Sequence, residues 1–422
     1  MRVLFVVFPA TAHTFPVVPL AWALQNAGHE VRVVTHPDMT RPVTEAGLAA
    51  VPLGRGDELD EIVAYSRDPA LLDGLAGDLA ADPRDCPDWG EKWFKLTRLF
   101  ARLRPLLEDL AGTAVRWRPD LVLWDPFCLP AAIAARLSGA AHARLLWGQD
   151  TIAWLRQRSL RYRAEQATGS ADVWPEPLEE VMQQLLEPYG LPYEEELLLG
   201  QWTIDPMPPG MRPSVPGDLR YESMRWIPYS GGATVPDWLH ARPSRPRVCL
   251  TLGVGGRGRQ LFKESGVSVA EVLAATEGLG VELVATLTPD QTAGVRIPDH
   301  VRVVDFLPLS QLLPECAAVV HHGGEGTFSA AAALGVPQLI VPMPYWGERS
   351  AARYATERYA GLTLEPDRFS PDALRDAVRR LVSEPLFHNG ATVLRQELAT
   401  LPGPAELVPV LSDLTRRHAR SA

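Results

Sequence analysis

A chain of 422 residues is long enough for two or three domains, each with its own core. Its 46% hydrophobic and 22% charged residues exclude a disordered or fibrous protein, and no apolar run approaches the roughly 20 residues of a membrane helix. With 41 basic against 51 acidic residues the net charge is −10, which opposes binding to a polynucleotide; a small anion stays admissible, because exposed charges are screened beyond about 8 Å and local dipoles decide.

The apolar run 3–10 behind Arg2 is shorter than most signal-peptide cores and flows into a helical pattern, so it reads as a first strand, 2–8. A helix over 19–27 ended by Gly28, a strand at 31–35, a helix over 39–46 ended by Gly47 and a strand at 50–53 follow. This βαβαβ order implies a parallel sheet with ligands at the carboxyl ends of its strands. A helical insertion over 91–117 carries Trp93, Leu96, Phe100 and Leu103 on one face, expected to pack as core. The rhythm returns as strand 121–124, helix 130–138 and strand 143–147, before a second insertion over about 151–199.

Nine prolines between 206 and 246 read as an interdomain linker without regular structure. A second series follows: strand 248–252, helix 268–277, strands 283–287, 301–304 and 317–321, helix 327–334, strand 338–341, helix 349–359, strand 361–364, then helices to the end. The expected fold class is α/β, with two Rossmann-like doubly wound parallel-sheet domains facing each other across a cleft. They would occupy 1–215 and 247–400, joined by a linker at 216–246, with a terminal helix at 401–422 packing back on the N-terminal domain. Four scattered cysteines (Cys86, Cys128, Cys249, Cys316) without a CxxC spacing indicate neither disulfides nor zinc, and a reducing cytoplasm fits them best.

Gly253-Val254-Gly255-Gly256-Arg257-Gly258 matches GxGxxG after a strand, but no helix opens within it and no acid ends the next strand. It therefore reads as a backbone-lined ligand loop rather than a dinucleotide site. His321-His322-Gly323-Gly324-Glu325-Gly326-Thr327 is stronger: a strand runs into glycines and a helix, whose unpaired amides suit a diphosphate. Adjacent strand residues point to opposite faces, so the two histidines cannot both chelate one metal; His322 is the phosphate candidate. At the first strand's end His13 is placed as a general base, and Asp125, after the fourth strand, could hold its tautomer or cap the helix near Pro130.

The strings His13-x-x-Pro16, Ala27-Gly28-His29-Glu30-Val31 and His321 to Thr327 with Ala332 to Gln338 resemble the family 1 inverting glycosyltransferases of GT-B fold. Residues 141–150, 200–206 and 247–253 resemble, more narrowly, the actinobacterial macrolide and polyketide deoxysugar transferases of the desosaminyl and mycaminosyl type. That resemblance implies transfer of a 6-deoxysugar from a dTDP donor to a polyketide or macrolide hydroxyl in antibiotic biosynthesis, with no cofactor and no metal. His13 and Asp125 would be catalytic. Gly253, Leu307, His322, Gly324, Gly326, Thr327, Trp346, Glu348 and Arg349 would bind the donor, and Phe15, Phe127 and Trp147 the acceptor. Where many relatives carry an Asp-Gln pair for the sugar hydroxyls, this chain has Glu348-Arg349, so glucose should fit badly, while Trp346 either covers the sugar's apolar face or packs as core.

The resemblance further implies an auxiliary activator resembling a cytochrome P450. The cluster Arg156, Arg158, Arg161 and Arg163 in an acidic protein is a surface that could meet it; a homodimer is another expectation. The competing readings are a catalytically silent GT-B binding or scaffold protein and a nucleotide-sugar epimerase of similar architecture.

Overall fold

The computed structural model describes residues 1–53, 89–167, 176–215, 217–253, 267–343 and 347–418. Two units form, Met1–Met224 with Pro402–Ala422 and Arg225–Leu401. In the first, seven parallel strands assemble in the order β3-β2-β1-β4-β5-β6-β7. They are β1 (Arg2–Val6), β2 (Glu30–Thr35), β3 (Ala49–Pro52), β4 (Leu121–Trp124), β5 (Ala141–Leu145), β6 (Trp202–Asp205) and β7 (Tyr221–Ser223). A parallel strand covered on both faces must be apolar throughout, and Val3 to Val6 and Leu121 to Trp124 are all buried.

Val6 of β1 lies level with Trp124 of β4, so the two strands release the chain side by side. The order reverses between them, which leaves the crevice where open α/β sheets bind ligands. Small residues let helix Pro130–Ser138 sit close: Ala131, Ala132, Ile133, Ala134 and Ala135 are all buried. It packs between helix Arg104–Trp117 and strands β4 and β5. The terminal helix Pro404–His418 belongs to this unit, with Leu407, Leu411 and Leu414 buried as it packs on helix Val18–Asn26 and β5.

The second unit repeats the plan with six parallel strands in the order β10-β9-β8-β11-β12-β13. They are β8 (Arg247–Thr251), β9 (Glu282–Thr286), β10 (Val301–Val304), β11 (Ala318–His321), β12 (Gln338–Ile340) and β13 (Gly361–Thr363). Its order reverses between β8 and β11, whose ends are level at Thr251 and His321.

Several sequence expectations shift. The strand expected at 143–147 is β5, which pairs with β4 from Ala141 on, so Trp147 falls two residues beyond its end. The insertion at 91–117 is two helices, Trp89–Arg102 and Arg104–Trp117, because Pro105 has no N–H to continue the first ladder. The proline-rich stretch also holds regular structure. Tyr221–Ser223 contains no proline and adds β7 at the sheet edge, and the 3-10 turn Asp237–His240 drops Leu239 into the second unit's core beside Cys249, Val284 and Leu312. Tyr221-Glu222-Ser223 holds no apolar run for the sequence to show. If 237–240 is core rather than linker, Leu239→Ala should destabilise the second unit by about 2–4 kcal/mol, read by denaturant unfolding; an unchanged midpoint would make the segment a mere tether.

Candidate active site

Two groups of side chains stand at the two switch points. In the first unit, helical structure begins after a four-residue gap beyond the end of β1: Thr11–Thr14, a 3-10 turn Phe15–Val17 and helix Val18–Asn26. His13 therefore lies in a helical turn rather than in the loop its sequence suggests, with Pro16 and Pro19 each in the first turn of a new segment, where a missing N–H does no harm.

His13 Nδ1 is 2.6 Å from Asp125 Oδ2, and both residues are buried. The other oxygen, Oδ1, accepts the Phe127 N–H at 2.8 Å. Asp125 thus spends both oxygens on His13 and its own turn, while Leu129 stands at the N-cap of helix Pro130–Ser138; the capping alternative does not hold. A carboxylate on Nδ1 fixes the tautomer with hydrogen there and leaves the Nε2 lone pair as the basic site of the ring. Aromatic rings surround the imidazole, with centroids of Phe8 at 5.2 Å, Phe127 at 5.6 Å and Trp147 at 4.2 Å. Phe15, half-buried, lies in the following 3-10 turn. A small hollow at the ends of β1, β4 and β5 is lined by His13, Pro16, Asp125 and Trp147.

In the second unit β11 delivers two histidines with different fates. His321 faces inward, its Nε2 2.9 Å from Gln338 Oε1 and its Nδ1 accepting the Gly323 N–H at 3.1 Å. Burial pushes its pKa down to about 4, against the pull of the Gln338 bond, so it is a neutral strut for the glycine turn. His322 lies against two glycines. A Cβ on Gly253, at the end of β8, would stand 3.1 Å from its Cε1, and one on Gly324 would stand 2.9 Å from its Nε2. Gly323 has φ +93°, and a Cβ there would meet Glu348 Cβ at 2.9 Å, which places buried Glu348 against the same turn.

The helix expected from 327 begins at Glu325 and runs to Leu334, with Gly324 as N-cap. Thr327 and Phe328 both donate to Gly324 O, and Gly326 sits in the first turn, where amides lack a carbonyl one turn earlier. Leu307 is buried in the core with Cys249 and Leu312, so it can meet a ligand only through its backbone. Glu348 and Arg349 part company: Arg349 is half-exposed, 3.8 Å from Glu365. Trp346 and the GxGxxG residues after Gly253 lie outside the described residues. Among the described residues no group of three or more His, Cys, Asp or Glu could hold a metal ion.

The expected basic cluster is not one surface. Residues 156 and 163 share one face of helix Thr151–Ala167 and 158 and 161 the other. Arg156 is buried and paired with Glu195 and Glu176, and Arg163 with Glu179. What the sequence reading missed is a buried ion pair, Arg144 to Asp150, bidentate at 2.8 and 2.6 Å with both side chains fully buried. Thr203 and Tyr221 complete it. The signal was present: an arginine inside the strand Ala141–Leu145 must find a buried partner. Nearby, burial pushes the Asp205 carboxyl up to about 6 despite Arg212.

The family models for the erythromycin biosynthesis protein CIII-like N-terminal and C-terminal domains match residues 22–253 and 270–414. The chain belongs to this glycosyltransferase family. It is 40% identical to the aclacinomycin-T 2-deoxy-L-fucose transferase of Streptomyces galilaeus, over 100% of this chain and 97% of that one. It is also 40% identical to the 10-deoxymethynolide desosaminyltransferase of Streptomyces venezuelae, over 100% and 98%. Among solved structures, the glycosyltransferase VinC in complex with dTDP matches with a TM-score of 0.87 and 37% identity, covering 99% of this chain and 100% of that one. The erythromycin CIII-like fold is thus GT-B, two parallel-sheet α/β domains.

His321 gives this family member a pH signature. The unfolded ring binds a proton near its ordinary value of 6.5 while the folded ring refuses it down to about 4, so stability is lost as pH falls through that window. Asp205 acts with the opposite sign, its folded carboxyl holding a proton below about 6 where the unfolded one, at 3.8, does not. Thermal unfolding between pH 7 and 4 should therefore show a smaller acid-induced drop in His321→Gln than in the parent; parallel curves would mean that His321 is not held neutral.

Proposed function

We propose that the chain is an inverting glycosyltransferase that moves a 6-deoxysugar from a dTDP donor to a hydroxyl of a polyketide or macrolide in antibiotic biosynthesis. The observation that carries it is the buried His13–Asp125 pair at 2.6 Å, at the end of β1 and β4. The relatives named for sugar transfer and the VinC complex with dTDP support the donor and acceptor classes.

In this reading His13 Nε2 takes the proton of the acceptor hydroxyl as its oxygen attacks the anomeric carbon. The bond from that carbon to the β-phosphate oxygen breaks on the opposite face, so configuration inverts and dTDP leaves with the bonding pair. Asp125 stabilises the imidazolium that forms. Charge growing on the diphosphate meets the amides of Gly324 and Gly326 at the helix start, the Thr327 hydroxyl and the His322 ring, the stabilisation that a divalent ion would otherwise supply. Phe15, Phe127 and Trp147 give the acceptor an apolar bed, the Leu307 backbone and Gly253 border the nucleotide, and Glu348, rather than Arg349, faces the sugar. A cytoplasmic setting is supported by the free thiols of Cys128, Cys249 and Cys316. An auxiliary protein and a homodimer belong to the same reading, the former resting on the family resemblance, since Arg156 and Arg163 are paired and Arg158 lies over the Trp89 ring.

His13→Ala should lower turnover about 10²–10⁴-fold while dTDP affinity, read by calorimetry, stays within about twofold; near-parental turnover would remove His13 from the mechanism. Asp125→Asn should lose less. On one acceptor, kcat/KM should be higher for dTDP-6-deoxy donors than for dTDP-glucose or UDP-glucose, and EDTA should leave it unchanged. A preference for glucose, or activity abolished by EDTA and restored by Mn²⁺, would overturn those parts of the reading.

A further inference from the structure

We infer that Arg144 and Asp150 are positioning residues that act on His13 through Trp147; the inference rests on His13 being the base. The loop 146–149 is short and pinned at both ends. Arg144 lies in β5, one residue before its end, and Asp150 immediately precedes helix Thr151–Ala167, where its Oδ1 also accepts the Ala153 N–H at 3.1 Å. The guanidinium joins the two ends directly, giving both amino groups to the Asp150 carboxylate at 2.8 and 2.6 Å. Thr203 Oγ1 in β6 accepts from Arg144 at 2.7 Å, and the Tyr221 hydroxyl in β7 donates to Asp150 Oδ2 at 2.7 Å. Three neighbouring strands thus brace one loop, and at its centre the Trp147 ring stands 4.2 Å from the His13 ring and 5.7 Å from Phe127.

Stability alone is a poor account of this pair. Both side chains are fully buried, and at such a site desolvation generally cancels or exceeds the Coulombic gain, so apolar residues of similar size would hold a core as well. What apolar residues cannot do is set direction. A planar guanidinium clamped on a carboxylate fixes the distance and angle between strand end and helix start, and the loop so closed has little freedom to swing Trp147 away. Asp125 fixes His13 from the Nδ1 side, and the Trp147 ring, inclined at 41°, packs against the imidazole. The base is held along two directions, one by a hydrogen bond and one by packing, and the second traces back to Arg144 and Asp150.

The test reads His13 itself. In ¹³C-labelled protein the Cε1–H signal of His13 is identified among the ten histidines by its loss in His13→Gln, and Trp147→Ala shows where it lies without the indole ring current. Asp150→Asn strips charge from a buried pair and can unfold the unit, so Tyr221→Phe, which deletes one hydrogen bond without changing shape, and Arg144→Lys, which keeps the charge, carry the test. Both should move the His13 signal toward its Trp147→Ala position and lower kcat up to about tenfold with dTDP affinity unchanged. In the Trp147→Ala background neither should shift the signal or kcat further. A His13 signal unmoved in both folded variants, or equal kcat losses in the two backgrounds, overturns the inference. Full turnover in His13→Ala would instead sink the general-base reading, with the His13 signals still reporting whether the brace holds Trp147.

Discussion

Everything chemical in this protein hangs on the reversal of strand order in each parallel sheet. Crossovers in such sheets are right-handed, so helices that follow β1 and β2 run to one side while the chain leaving β4 runs to the other. Between the ends of β1 and β4 no connection crosses, and the space stays open. His13 leaves one of those strands and Asp125 the other. The same reversal between β8 and β11 puts Gly253 and His322 together. Residues 112 and 69 positions apart in sequence meet because two adjacent strands end at the same level.

His13 and Asp125 are buried at that edge, and a buried polar group needs an assigned partner. The assignments are complete enough to orient whatever remains. Asp125 gives one oxygen to the Phe127 amide and the other to His13, so the carboxylate cannot turn without breaking its own loop. Arg144 and Asp150 use the same logic one strand over, with Thr203 and Tyr221 as further partners. Orientation is the useful product of these bonds, since their net contribution to stability after desolvation is small.

The alternation of strands and helices was legible because it rests on long apolar runs and on glycine stops; the Gly28 and Gly47 ends appear with φ of +83° and +73°. Both His13 and Asp125 were legible as strand-end residues, but their hydrogen bond was not, since pairing across 112 positions depends on which strands become neighbours. Two strands escaped: β6 (Trp202–Asp205) and β7 (Tyr221–Ser223) carry polar residues in place of an apolar run and sit among prolines and glycines. Arg156 looked like surface charge because a sequence shows a charge without its partners; Glu176 and Glu195, which bury it, lie 20 and 39 positions further on. Arg144 hides in the opposite way: its strand is buried on every residue, and its partner Asp150 lies beyond the strand's end.

The adjacent histidines show how little local sequence decides without the strand. His321 and His322 have the same side chain and nearly the same neighbours, yet a strand turns successive residues to opposite faces. His321, turned into the sheet, meets Gln338 on the neighbouring strand and the amide of Gly323, loses its proton affinity to burial and becomes part of the scaffold. His322, turned out beyond the strand end, lies where two glycines leave room for an imidazole and where the next helix opens its amides. Neither position could be exchanged for the other by swapping neighbours, because His321 needs an inward face and the His322 ring needs glycines on both sides. The first histidine shapes the turn that the second one uses: its Nδ1 holds the Gly323 amide, Gly323 bends the chain at a φ that other residues resist, and the bend brings Gly324 against the His322 ring.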